Sequence, residues 1–213
     1  DLPPSAMVGL SKCRLYFSCG YLGFERSWLG KLSENNPRLQ VVDLSEGLEL
    51  LYGTHHHEEG HLHDGEAYPD PHIWCSPRLA RRMVETMYRA LTEIDPDGAS
   101  VYAENYARID RRFAQLDSVL TDKLRPFKGK AFAVYHPTLS YWAADYGLRQ
   151  LALEPDGKSP SPQYLRAMVD SARHVGVEVV FIQQEFDPRQ AETFAREVGC
   201  RTEIINPLAY TWS

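Results

Sequence analysis

The sequence predicts an α/β protein built on parallel strands, and two observations carry that expectation. Short apolar runs alternate with patterns of helical period near the start of the chain, as in RLYFSCG, FERSWLGKL and LQVVDLS. The same alternation returns after residue 129, and there Gly147, Gly176 and Gly199 close the helical patterns. A strand, helix, strand order with short connections is the βαβ unit of a parallel sheet. With 213 residues, 43% hydrophobic and 24% charged, the chain can bury one large core or two smaller ones, and two small domains are expected.

Taken in order, Pro3 and Pro4 introduce SAMVGLSK, with Met7 and Leu10 three apart, as the last turns of a helix. RLYFSCG follows as a buried strand stopped by Gly20. From Phe24 a helix is expected to bury Phe24, Trp28, Leu29 and Leu32 and to end at Asn35, Asn36 and Pro37, before the strand LQVVDLS. Ser76-Pro77 reads as an N-cap with proline at the first helical position, and Leu79, Met83, Met87 and Leu91 continue that helix to Asp95-Pro96. The longest helical pattern runs from about Ala99 to Leu124, with Tyr102, Tyr106, Ile109, Phe113, Leu116 and Leu120 on one face. At about 1.5 Å per residue it would span nearly 40 Å, which suits either a stiff connector between two lobes or a helix laid along one domain. Beyond Pro126 and Gly129 come strands at KAFAVYH, RQLALEP, VEVVFIQQ and CRTEIIN, with helices at TLSYWAADYG, PQYLRAMVDSARHVG and PRQAETFAREVG between them.

Bulk properties exclude several function classes. A formal net charge of −6 with no basic run argues against nucleic acid or an anionic membrane as partner and suits a cation better. No 18-residue apolar stretch is present, so no transmembrane helix is expected. DLPPSAM lacks the charged and apolar regions of a signal peptide, so either a leader has been removed or the chain starts internally. Cys13, Cys19, Cys75 and Cys200 have no C-x-x-C spacing, which argues against a thiolate zinc knuckle and for small buried residues.

Chemistry concentrates in THHHEEGHLHDGEAYPDPHIWCSP, residues 54–77, which holds six of the eight histidines. His55, His56, His57, His61 and His63, interleaved with Glu58, Glu59 and Asp64, form a metal-attracting tract, and its internal position and acidic interruptions distinguish it from a purification tag. Its glycines and few apolar residues predict mobility without metal. His72 lies between Pro71 and Ile73-Trp74, so its imidazole is held in a definite direction, as a ligand requires. His136 ends the apolar run AFAVYH and precedes Pro137, at the carboxyl edge of a parallel sheet where ligands of open α/β folds bind. Taken singly, each histidine is more readily a capping or core residue; taken together beside a His-rich stretch, they point to metal. Glu185, after VEVVFIQQ, is a possible accessory ligand but equally a solvated or capping acid, and His174 fits a helix C-terminal dipole partner.

The segments DPHIWCSP, DPDGASVYAENYARID, VYHPTLSYWAADYGL, SPSPQYLRAMVDSARHVGVEVVFIQQEF and INPLAYTW resemble, in this order, the zinc-type cluster A-I solute-binding proteins of bacterial metal ABC importers. The resemblance covers nearly the whole chain. It implies two parallel-sheet α/β lobes joined by a long connector helix, with one metal ion in the cleft between them. The implied boundaries are an N-terminal lobe 1–97 with a His-rich loop 54–69, a connector 98–125, and a C-terminal lobe 126–213. His72 in DPHIW and His136 in YHP match two family metal ligands. Histidine at the second position, where manganese-type members carry glutamate, agrees with the preference of borderline Zn²⁺ for imidazole. The loop from His55 to His63 matches the acidic, His-rich loop of many zinc-binding members, for which the resemblance implies either capturing zinc and passing it to the cleft or binding a second ion. A further family histidine lies upstream of the segment matched by PPSAM, and family members continue past the motif matched by NPLAYTW, so a first lobe incomplete at its N-terminus and a trimmed chain are expected. Asn206 stands where an aspartate ligand is frequent, and its neutral amide is a poorer ligand.

The expected function is an extracytoplasmic zinc receptor that delivers Zn²⁺ to a membrane ABC permease, non-enzymatic and monomeric, periplasmic or at the cell surface, with a lipid anchor possible upstream of the chain. Two alternatives stay open on the residues alone. One is a metal-dependent hydrolase using His72, His136 and Asp70, against which no H-E-x-x-H appears. The other is a loop-based metal buffer or adhesion-type surface protein.

Overall fold

The computed structural model of the chain describes residues 4–52, 69–155 and 160–209. It divides into two units, Asp1–Gln115 and Leu116–Ser213. The division falls inside the long helix that the sequence places at Ala99–Leu124, and the helix has those bounds.

In the N-terminal unit, α1 (Pro4–Leu10) leads into β1 (Leu15–Ser18), α2 (Gly23–Asn35) and β2 (Gln40–Asp43). The two strands pair in parallel, from Leu15 opposite Gln40 to Ser18 opposite Asp43, which is the expected βαβ unit. The buried face of α2 differs from the expectation by one position. Phe24 is exposed, and the inward positions are Glu25 and Leu32, with Trp28 and Leu29 half-buried between them at the same helical spacing. A charge is tolerated there because the Glu25 carboxylate accepts from Tyr16 Oη (3.2 Å), Ser18 Oγ (3.0 Å) and the Cys19 backbone N–H (3.1 Å) at the end of β1. Apolar periodicity cannot register such a satisfied acid, so it selects the neighbouring Phe24.

Helix α3 (Pro77–Ile94) starts as the sequence predicts. Ser76 is fully buried, its hydroxyl accepts from the Leu79 N–H at 3.0 Å, and Pro77 occupies the first turn. Ser76→Ala is expected to cost about 1 kcal/mol of stability, the usual value of an N-cap, in urea unfolding. Helix α4 (Ala99–Leu124) lies against α3 through the stacked rings of Tyr88 and Tyr106, 4.8 Å between centroids, and the Arg81–Asp110 ion pair.

The C-terminal unit is a four-stranded sheet in the order β4-β3-β5-β6, with every pairing parallel: β3 (Ala131–Val134), β4 (Arg149–Ala152), β5 (Val179–Gln183) and β6 (Arg201–Ile205). Alternate residues of β3 serve opposite faces. Ala131, Ala133 and Tyr135 join Leu153, Val180, Ile182 and the buried stripes of α6 (Pro162–Val175) and α7 (Arg189–Val198) in the larger core. Phe132 and Val134 pack with Ala143 of α5 (Ser140–Asp145) on the other face. Gly176 and Gly199 end α6 and α7 in the left-handed conformation, at φ +69° and +82°, as the sequence expects of C-terminal glycines.

The strand order fixes where this unit can present chemistry. The chain leaves β3 for β4 on one side, and leaves β5 for β6 on the other. The topological switch point of this open parallel sheet, where such sheets bind ligands, therefore lies beyond the carboxyl ends of β3 and β5. Among the described residues no helix is long and apolar enough to cross a membrane.

Candidate metal site

His136 stands two residues beyond the end of β3, at that switch point. The sheet register identifies its neighbours. Val134 is paired with Ala152 on one side and Phe181 on the other, so two residues further along each strand His136, Glu154 and Gln183 are brought to one level. The ladder continues into this layer, with the Glu154 N–H donating to the Tyr135 carbonyl and the Tyr135 N–H to the Phe181 carbonyl, both at 2.9 Å. His136 Nδ1 is hydrogen-bonded to Glu154 Oε2. The Glu154 side chain is 10% exposed and the imidazole 26%, so the acid lies behind the ring. Phe186 stacks on the imidazole with centroids 5.5 Å apart.

The backbone of His136 is clamped as firmly as its ring. Gln183 is fully buried; its Oε1 accepts from the His136 N–H at 3.2 Å, and its Nε2 donates to the His136 carbonyl at 2.6 Å and to Thr138 Oγ1 at 2.9 Å. A single amide thus spans both sides of the His136 peptide, a use for which glutamine, with an acceptor and a two-hydrogen donor, is chemically suited.

In the N-terminal unit, His72 has a closely similar local arrangement. Its Nδ1 lies 2.6 Å from Asp70 Oδ1, and the same oxygen accepts from the His72 backbone N–H at 2.9 Å. The side chains are 14% and 10% exposed. The turn is fixed by Ile73, which is fully buried, by a short 3-10 helix from Ile73 to Cys75, and by an edge contact between the His72 and Trp74 rings at 5.3 Å. Tyr52 and Pro69 pair as an antiparallel bridge just before it. The expectation that Pro71 and the bulky residues after His72 aim the ring therefore holds locally.

The chemistry of the two histidines is the same. An ionised carboxylate only accepts, so a neutral imidazole bonded to it through Nδ1 carries its proton there and its lone pair on Nε2. Carboxylate on one nitrogen and lone pair on the other is the arrangement of metal-ligating imidazoles. Thiolate ligation is disfavoured beside it: burial, then the charge of Asp70, pushes the Cys75 thiol up to about 12, and burial, then Glu25 and Asp43, pushes Cys19 up to about 11. All four cysteines are unbridged and partly buried, less deeply than the sequence suggests.

Among the described residues, no group of three or more His, Cys, Asp or Glu side chains is gathered in one place to hold a metal. His55, His56, His57, His61 and His63, with the mobility expected of their segment, lie outside the described residues. His72 and His136 belong to different units. Glu185 is exposed in the turn after β5, and Glu154 is the acid on His136. Asn206 is exposed, and its Oδ1 accepts from the Leu208 N–H at 3.0 Å. Asp70 binds His72 through both its ring and its backbone. Sequence reading missed Glu154 and Gln183. The signal available for them was position: each lies at the end of an apolar strand that neighbours the His136 strand.

The family model described as "ZnuA: Zinc-uptake complex component A periplasmic" matches residues 1–211. The zinc-binding lipoprotein AdcA of Streptococcus pneumoniae is 29% identical over 194 residues, covering 85% of this chain and 38% of that protein. The high-affinity zinc uptake system protein ZnuA of Bacillus subtilis is 30% identical over 173 residues, covering 78% of this chain and 54% of that protein. A crystal structure of ZnuA superposes with a TM-score of 0.85 at 32% identity, over 98% of this chain and 77% of that one. The chain thus spans well under two thirds of the length of these two curated relatives.

Proposed function

This chain belongs to the ZnuA family of periplasmic zinc-uptake components, and from that premise we propose that it is the zinc-binding part of an extracytoplasmic receptor, with His72 and His136 as ligands. The observation that carries the reading is the matching support of the two imidazoles, each with Nδ1 on a largely buried carboxylate; in this reading Nε2 is the coordinating atom. Zn²⁺ is cargo in this reading: it is bound through borderline nitrogen ligands and released to a membrane ABC permease. The chain binds and does not turn over a substrate, and the His-rich stretch is an accessory that captures ions. Acid should release the metal, because each ligating imidazole must be neutral.

The test is zinc titration by calorimetry on this chain and on a version lacking residues 54–64. One tight site is expected to survive the deletion, with only weaker binding lost. Loss of all binding on deletion would instead assign the metal to the His-rich stretch and remove His72 and His136 from the site.

A further inference from the structure

We infer that Glu154 is the positioning residue that sets zinc affinity at His136, an inference that rests on His136 being a ligand. Three observations lead to it. Glu154 is buried, yet its carboxylate faces the imidazole of a partly exposed histidine. It is set there by the sheet and not by a flexible loop, because β4 pairs with β3 up to Val134 and Ala152 and the ladder continues through the Glu154 N–H. Gln183 already holds the His136 backbone, so Glu154 is not needed to place the turn, and among the described residues its side-chain hydrogen bond is to the ring.

The consequence is electronic as well as geometric. A carboxylate on Nδ1 holds the proton at that nitrogen and directs the lone pair to Nε2. It also places a negative charge across the ring from a dication that a neutral imidazole leaves uncompensated. Glu154 thereby makes His136 a stronger donor without occupying a coordination position. Phe186, stacked on one face of the ring, leaves the imidazole little freedom to rotate away from the acid.

Zinc affinity would be measured by chelator competition on Glu154→Gln, Glu154→Asp and His136→Ala, each made in the version lacking residues 54–64 so that the clustered histidines cannot mask a change, with the metal-free melting of each recorded. Glu154→Gln is expected to lose about 10- to 100-fold in affinity, the range for outer partners of ligating histidines. Glu154→Asp is expected to recover part of that loss, which a purely steric role would not allow. Nitrogen-15 spectra of the metal-free protein give a second readout that needs no metal: His136 should be the Nδ1–H tautomer in the parent and shift toward Nε2–H in Glu154→Leu. Parent-like affinity in Glu154→Gln together with a large loss in His136→Ala overturns the role of Glu154 and keeps the ligand. Parent-like affinity in His136→Ala removes the ligand itself. If Glu154→Gln does not fold, an Nε2–H tautomer in the parent overturns the inference and an Nδ1–H tautomer supports it.

Discussion

Replacing His136 with alanine is expected to lower zinc affinity by more than about 100-fold, beyond the loss typical of an outer partner. The expectation follows from how much of the C-terminal unit converges on this one residue. β3 delivers it to the switch point, Glu154 fixes its tautomer, Gln183 holds both sides of its peptide, and Phe186 covers one face of its ring. A side chain so constrained pays little conformational entropy on binding an ion, so its deletion removes most of what it contributes. The measurement is best made in the version lacking residues 54–64, where the clustered histidines cannot mask the change. Affinity within a few-fold of the parent there would mean that the constrained imidazole serves the fold and not the metal. Stability should fall by about 1–3 kcal/mol, because the largely buried Glu154 carboxylate loses the ring it is bonded to, while the peptide clamp, which acts through backbone atoms, is kept.

Legibility of this molecule in its sequence follows the physics of each signal. Strands and helices of the C-terminal unit were readable because apolar runs and capping glycines act locally: Gly176 and Gly199 take the left-handed conformation that ends α6 and α7. Ser76-Pro77 was readable as a helix start for the same reason. His72 and His136 stood out because proline and bulky neighbours constrain them in sequence as in space. Glu25 and Glu154 were not readable as buried acids, since their satisfaction comes from groups brought near by tertiary structure: Tyr16, Ser18 and Cys19 for one, His136 for the other. Gln183 looked like the polar end of an apolar strand, and only the register of β3 with β5 shows what it faces. The recurrent miss is thus the polar residue whose partner lies on another strand.

Gln183 is also where the fold should be most vulnerable to a change that leaves its apolar core intact. Gln183→Leu keeps similar volume in a fully buried position but removes three hydrogen bonds at once. The His136 carbonyl retains the Thr138 N–H at 2.8 Å, whereas the His136 N–H and Thr138 Oγ1 each lose the amide partner recorded for them. Each buried polar group left unsatisfied costs about 1–3 kcal/mol, so a loss on the order of 3 kcal/mol is expected in urea unfolding with an unchanged m-value. Gln183→Glu should be nearly as costly, because a carboxylate can accept from the His136 N–H but presents oxygen to the His136 carbonyl. The ligand depends on this amide too: a His136 backbone released from its clamp no longer holds the ring against Glu154, and zinc affinity should fall along with stability. A Gln183→Leu protein that loses less than about 1 kcal/mol would show that the clamp is replaceable by packing alone, and that the β3–β5 register by itself fixes His136.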